Sequence, residues 1–153
     1  MPRSTLLRKT KIILDSEYDS FLLYLFTQQL LKNGKNLLAK RIIYKTCLYI
    51  EEQTKKDALK ILEKSIIKAK PIIEVKITSK KSKLPKEIPS FRGILLAIRY
   101  IIQIIDKHQS FSFSIKLANA IILTSCGLGN AIKHREESLA LFKATKMLTF
   151  YEF

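Results

Sequence analysis

The chain has 153 residues, of which 47% are hydrophobic, and its 28 lysines and arginines against 13 aspartates and glutamates give a net charge of +15. This length suits one domain with a real core, which excludes a disordered polyelectrolyte. Positive charges in such excess repel one another in a compact molecule. Binding of a polyanion relieves this repulsion and releases counterions. The charge therefore favours nucleic acid as the partner, with an anionic membrane surface as the second possibility.

Six helices are predicted from apolar residues at helical spacing and from capping residues. They are expected over about 17–32, over about 35–53, from Asp57 to the residue before Pro71, from Ser90 through the apolar run 94–105, from Ser112 to Gly127, and over about 130–150. Asp15 or Ser16 is the expected cap of the first helix. Thr54-Lys55-Lys56 marks the break after the second.

The same spacing predicts which helical side chains form the core. The expected inner positions are Leu38, Ile42 and 47–50 in the second helix, Ala58, Leu62, Ile66 and Ala69 in the third, and Ile115, Leu117, Ala118, Ile121 and Ile122 in the fifth. Cys47 and Cys126 both fall on apolar faces and are interpreted as core thiols. With only two histidines, His108 and His134, the chain lacks the four paired ligands of a zinc finger or ribbon.

No membrane-spanning helix or targeting segment is predicted. The longest apolar run, 94–105, is about twelve residues long and contains Arg99 and Gln103, whereas a span needs about twenty residues. The opening MPRSTLLRKTKIILDSE has basic residues but no long apolar region and no small-residue cleavage site. It therefore does not resemble a secretory signal, and no transit peptide is expected because the signals of the first helix begin soon after it.

Residues 72–89 are predicted to form a β-hairpin arm between the third and fourth helices. Ile72, Ile73, Val75 and Ile77 are strand-forming residues, and Glu74 and Lys76 alternate with the last two of them. The returning strand is bracketed by two prolines, which suits a two-stranded ribbon and not the centre of a sheet. Four lysines between positions 80 and 86 suggest phosphate as the target of the arm. The alternative is a solvated loop whose lysines only keep a strand edge from aggregating.

Catalytic motifs are absent from the sequence. It has neither the GxSxG elbow of hydrolases nor the HExxH of zinc proteases. The adjacent Glu136 and Glu137 diverge on a helix, so the two carboxylates cannot share a substrate. We therefore expect no enzyme activity and no cofactor.

Several short segments follow one another in an order that is informative. They are MPR (1–3), KNGKNLLAKRIIY (32–44), PIIEVK (71–76), LPKEI (84–88), LAIRY (96–100), GNAIKHREES (129–138) and ATKMLTFYEF (144–153). The series resembles the small ribosomal subunit protein seven family of bacterial and organellar type, in which PIIEVK corresponds to a P-L-V-E-V-K motif. The resemblance spans essentially the whole chain.

The resemblance implies a mostly α, six-helix bundle-like single domain, 1–153, with a basic tail at 1–14 and the β-hairpin arm. It further implies binding to the 3′ major domain of small-subunit rRNA, organisation of head assembly, and an arm near the exit-site tRNA and mRNA. Neighbouring head and platform proteins are the implied protein partners. No membrane partner is expected.

The rRNA contacts implied by matching motifs are Lys35, Lys76, Arg92, Arg99, Lys133 and Arg135. Charge alone adds Arg3, Arg8, Lys9, Lys11, Arg41, Lys80, Lys81, Lys83, Lys116, Lys143 and Lys146. Lysine and arginine at such positions bind phosphate without reading base sequence.

The isoleucine and lysine excess is typical of an AT-rich genome and, with the divergent sequence, favours an organelle ribosome. A mitochondrion is favoured over a plastid because acidic positions of the fifth helix and a glycine turn of the hairpin have been lost. Two other classes remain, a DNA-binding helical module and a peripheral membrane protein. Each would place its basic residues on one helix, whereas here they are spread over every element.

Overall fold

The computed structural model describes residues 15, 17–77, 83–105 and 112–151, with side chains for all of these except 75–77, 83–85, 104 and 145–151. The described residues form six helices and one two-stranded ribbon. In chain order these are α1 (Phe21–Leu30), α2 (Asn36–Thr54), α3 (Ala58–Ala69), β1 (Ile73–Ile77), β2 (Lys83–Glu87), α4 (Ser90–Ile105), α5 (Phe113–Cys126) and α6 (Asn130–Tyr151). The predicted mostly helical fold with a hairpin between the third and fourth helices is confirmed.

Helix α1 begins at Phe21, four residues later than predicted, and Asp15 is not its cap. The backbone cannot enter the helix earlier because Asp19 has a φ of 45° and Ser20 is extended. The carboxylate of the buried Asp15 instead accepts a hydrogen bond from the Tyr44 hydroxyl, at 2.8 Å. Asp15 therefore ties the segment before α1 to the middle of α2.

The ends of α2, α3 and α5 follow local signals, as predicted. Lys55 adopts a left-handed conformation at φ 52°, which closes α2. The Asp57 carboxylate accepts a hydrogen bond from the Leu59 backbone N–H at 3.0 Å and so caps α3, which ends two residues before Pro71. Gly127, with a φ of 90°, ends α5 in a conformation that costs other residues more.

The core lies where α3, α4 and α5 meet α1 and α2. Its largest fully buried apolar side chains are Phe26, Leu23, Ile50, Leu62, Ile98, Ile101, Leu117 and Ile121. The predicted stripe of α3, from Ala58 to Ala69, is buried as expected. This core fixes which faces of α3, α4 and α5 point outwards.

Some predicted inner positions are wrong. Leu38 and Leu48 are 56% and 54% exposed, because α2 buries Ala39, Ile43, Cys47 and Ile50, and Leu38 lies about 100° around the helix from Ala39. On α5, Ile115 and Ile122 are only half-buried, whereas Ser114 and Thr124 are buried. The Thr124 hydroxyl donates to the Ala120 carbonyl at 2.6 Å, which satisfies its polar group inside the core.

Strands β1 and β2 form an antiparallel pair, running from Ile73 opposite Glu87 to Ile77 opposite Lys83. Pro85 pairs with Val75, which is tolerated because both strands of a two-stranded ribbon are edges. Helix α6 packs against both strands. An isolated ribbon is marginal in water, so α6 supplies the support that keeps it folded.

Within the described ranges, no single helix is both long and apolar enough to cross a membrane.

Candidate nucleic-acid interface

Helix α4 presents two arginines on its outer face. Its inner face is fixed by Ala97, Ile98 and Ile101, which have no exposed surface. Arg92 and Arg99 are exposed and seven residues apart, which is about two helical turns, or roughly 10 Å along the axis. The predicted placement of both arginines on nearly one face is consistent with this geometry.

Arg92 is held in place by the ribbon. Its Nη2 lies 2.9 Å and 3.2 Å from the two carboxylate oxygens of Glu74 in β1, and about half of the arginine side chain stays exposed. A guanidinium has five N–H donors, and this contact uses one nitrogen. The ion pair therefore orients Arg92 and leaves most of its donors for an external phosphate.

The first turn of α6 lies next to α4 at Tyr100, the residue after Arg99. The ring centroids of Tyr100 and His134 are 5.5 Å apart. Lys133 is the residue before His134, so it also lies near this contact between α4 and α6, and its side chain is exposed. Burial raises the pKa of Tyr100, Glu74 raises it further, and Arg99 lowers it. Glu74 and Arg99 therefore both contribute to the electrostatic environment of Tyr100.

Two exposed aromatic rings extend this surface and were missed by sequence reasoning. Phe91, just before Arg92, is 52% exposed, and its ring stacks on that of Phe21 with centroids 6.3 Å apart. A phenylalanine in the first turn of a helix looks like a core residue in the sequence, and its exposure follows only from how α1 meets α4. Unpaired bases stack on such rings, so we add Phe21 and Phe91 to the candidate interface.

Arg135 has a different environment from the other predicted contacts. It is half-buried, and its Nη1 donates to the Lys68 carbonyl at 2.8 Å, in the last turn of α3. Its Nε is buried and has no hydrogen-bond partner among the described residues. A cation is favourable at a helix C-terminus, so Arg135 links α6 to α3 in the free chain. Its contact with rRNA stays a prediction.

The remaining predicted contacts that the structure describes lie on elements other than α4. Lys35 and Lys32 line a pocket of about 350 Å³ that also contains Ile102, which lies ten residues from Arg92 but only three residues, roughly 5 Å along α4, from Arg99. Arg41 and Lys143 are exposed on α2 and α6, and Lys116 is half-buried on α5. The candidate interface, as far as the structure describes it, therefore centres on α4, β1 and the start of α6.

The other predicted residues are not described in the structure. Arg3, Arg8, Lys9, Lys11, Lys80 and Lys81 lie outside the described residues, and the side chains of Lys76, Lys83 and Lys146 are not described. The strand register places Lys76 and Lys83 in neighbouring cross-strand pairs.

No three metal-binding side chains are grouped in the part of the chain that the structure describes. The two cysteines differ from each other. Cys47 is buried, and burial, with smaller contributions from Glu51 and Asp15, raises its pKa to about 12. The prediction that Cys126 is a core thiol is wrong, because it lies about 200° around α5 from the buried Thr124 and is exposed.

This difference predicts selective thiol chemistry. In native buffer at neutral pH, a thiol reagent such as dithionitrobenzoate is expected to modify Cys126 and leave Cys47 protonated and unmodified, because the thiolate is the reactive form. In denaturant both thiols should react. A Cys126→Ser variant serves as the control and should show no fast reaction. Fast native modification of two thiols in the unsubstituted protein would contradict the buried position of Cys47.

The described residues form a mostly helical protein with a basic outer surface and a ribbon supported by α6, an arrangement that suits a structural protein of the ribosome. The family described as ribosomal protein S7p/S5e matches residues 2–146. The chain is 33% identical over 156 residues to the small ribosomal subunit protein uS7 of Thermosynechococcus vestitus, covering all of both chains. It is 38% identical over 149 residues to the small ribosomal subunit protein uS7c of Prototheca wickerhamii, covering 95% of this chain and 96% of that one. It is 31% identical to the uS7 of Nostoc punctiforme, again over both full lengths.

The chain therefore belongs to the ribosomal protein S7p/S5e family. Its role is that of a structural protein of the small ribosomal subunit in translation, and not that of an enzyme.

Proposed function

We propose that this protein binds the 3′ major domain of small-subunit rRNA and organises assembly of the head of the subunit. The observation that best supports the proposal is the pair of exposed arginines on α4, next to the ribbon and the first turn of α6. Arg92 is oriented by Glu74 before RNA binds, which lowers the entropy that binding must overcome.

The chemistry of this surface suits RNA backbone and unpaired bases. Arg92, Arg99 and Lys133 offer charged donors to phosphate oxygens, and the Phe21–Phe91 pair offers an apolar face to a base. Arg92 and Arg99 lie on α4 and Lys133 lies on α6, so these cations do not follow one recognition helix of the kind that enters a groove of duplex DNA. The surface therefore favours recognition of RNA by shape and charge.

The ribbon extends the same surface in our proposal. Its two strands are supported by α6. The four lysines between positions 80 and 86 of the sequence favour phosphate as the target of the arm. We infer that the arm lies near the exit-site tRNA and mRNA. Proteins of the head and platform are the expected neighbours.

We further propose that the ribosome is that of an organelle. Support comes from the uS7c relative, which is 38% identical, and from the isoleucine- and lysine-rich composition. The sequence-based preference for a mitochondrion over a plastid stays part of this proposal. Parallel fractionation of both organelles decides between them.

The proposal is tested by density-gradient fractionation of the source organelles, with this chain followed by mass spectrometry. We expect it to co-migrate with small-subunit rRNA and to stay bound at moderate salt, because several phosphate contacts act together. Ribonuclease treatment before the gradient is the control and should move the chain to the top. Migration as a free protein, or with DNA, in the untreated sample would refute the proposal.

A further inference from the structure

A second basic surface lies away from the arginines of α4. A groove of about 640 Å³ runs between α3 and the C-terminal end of α5. Four lysines line it at intervals of four residues, Lys56, Lys60, Lys64 and Lys68. Four residues advance a helix by about 6 Å and one turn, so the lysines of α3 follow one another along the same side of that helix. We call this surface the lysine groove.

The positive charge of the lysine groove is poorly compensated. Asp57 is the one acidic residue among the described residues that line it. One of its carboxylate oxygens already accepts the capping hydrogen bond from Leu59, and the other lies 4.0 Å from the Lys60 ammonium. Such an exposed pair is worth at most about 1 kcal/mol. The groove is thus complementary to an anionic partner.

The base of the groove is apolar, and this decides between classes of partner. Ile61 and Ile122 line it together with the exposed Cys126. A phosphate backbone has no apolar groups with which to cover these side chains. A polypeptide that alternates carboxylates with apolar side chains matches both the lysines and the isoleucines, and gains about 25 cal/mol for each Å² of apolar surface that it buries.

We propose that the lysine groove is a docking site for an acidic polypeptide segment that also contains apolar side chains, supplied by a partner protein. The inference depends on the surface formed by α3 and α5 and not on rRNA binding, so each proposal can fail without the other. The carboxylates contact Lys60 and Lys64, and an apolar side chain contacts Ile61 and Ile122. Cys126 becomes covered when the segment is bound.

The test uses the full-length recombinant chain and three labelled probes. They are a synthetic peptide of glutamate and leucine, a peptide in which serine replaces leucine, and single-stranded oligouridylate. Affinity is measured by fluorescence anisotropy at physiological ionic strength, and protection of Cys126 by its rate of alkylation. Cys47 is buried, so the alkylation rate reports on the groove alone.

We expect the glutamate–leucine peptide to bind most tightly of the three probes at the groove and to slow alkylation of Cys126. Lys60→Glu together with Lys64→Glu should weaken its binding by about tenfold, since two exposed charge contacts become repulsive. Lys32→Glu together with Lys45→Glu makes the same change in net charge on exposed side chains outside the groove and should leave the affinity within about twofold.

Three outcomes would overturn the proposal. Equal losses in the two double variants would show that only net charge matters. Equal binding of the glutamate–serine peptide would remove the role of the apolar base. Protection of Cys126 by oligouridylate, with the same sensitivity to Lys60→Glu and Lys64→Glu, would assign the groove to nucleic acid.

Discussion

Reversing the charge of Arg92 and Arg99 to glutamate is expected to weaken binding of small-subunit rRNA by about 100-fold. Each lost hydrogen bond to a charged group costs about 1.5 kcal/mol or more, and 1.4 kcal/mol is tenfold in affinity. Filter-binding titrations of the recombinant chain with a 3′ major domain transcript measure the change. The dependence of affinity on salt should also become less steep, by roughly two phosphate contacts.

Lys55→Glu together with Lys56→Glu is the matched control for this pair. Both lysines are exposed, the change in net charge is the same, and both lie at the end of α2, away from α4. We expect a clearly smaller loss of rRNA affinity. Equal losses of rRNA affinity at matched salt would show that the α4 arginines contribute only through net charge and not through specific contacts with the rRNA. Loss of the exposed Arg92–Glu74 pair should lower stability by no more than about 1 kcal/mol, which circular dichroism can verify.

Ile98→Ala is expected to lower the free energy of unfolding by about 2–5 kcal/mol. Ile98 has no exposed surface and lies on the inner face of α4, so its truncation removes apolar burial and leaves a cavity. Denaturant titration followed by circular dichroism measures the change. Because Arg99 is unaltered, rRNA affinity should change little under conditions where the variant is fully folded.

Ile67→Ala provides the comparison for Ile98→Ala. The side chain and the substitution are the same, but Ile67 is 72% exposed on α3. Its effect on the free energy of unfolding should stay within about 0.5 kcal/mol. Similar losses in the two variants would contradict the assignment of the α4 inner face.

The order of the elements is predictable because its signals are local. The Asp57 cap, Pro71 after α3 and Gly127 after α5 each act within a few residues, and the ribbon follows from a β-branched run between two helices. The start of α1 is not predictable in this way. Asp15 looks like a cap in the sequence, but its carboxylate binds the Tyr44 hydroxyl, 29 residues away.

The candidate interface is predictable only in part, because some of its contacts join residues that are far apart in the sequence. Helical spacing alone places Arg92 and Arg99 on one face of α4. The link from Arg135 to the Lys68 carbonyl joins residues 67 positions apart, and the stacking of Phe21 on Phe91 depends on how two helices meet. The exposure of Cys126 was missed because the buried face of α5 includes the polar Ser114 and Thr124, which apolar spacing does not mark as inner positions.

The support of the ribbon by α6 affects the synthesis of this chain. Strands β1 and β2 leave the translating ribosome before α6 exists, since α6 ends at Tyr151 and β2 ends at Glu87. At about 5–20 residues per second, the nascent ribbon waits on the order of several seconds for its support. During that time its strand edges are open to other nascent chains. The lysines between 80 and 86 oppose such pairing by mutual repulsion, so the charges that we assign to RNA in the finished subunit also protect the unfinished chain from aggregation.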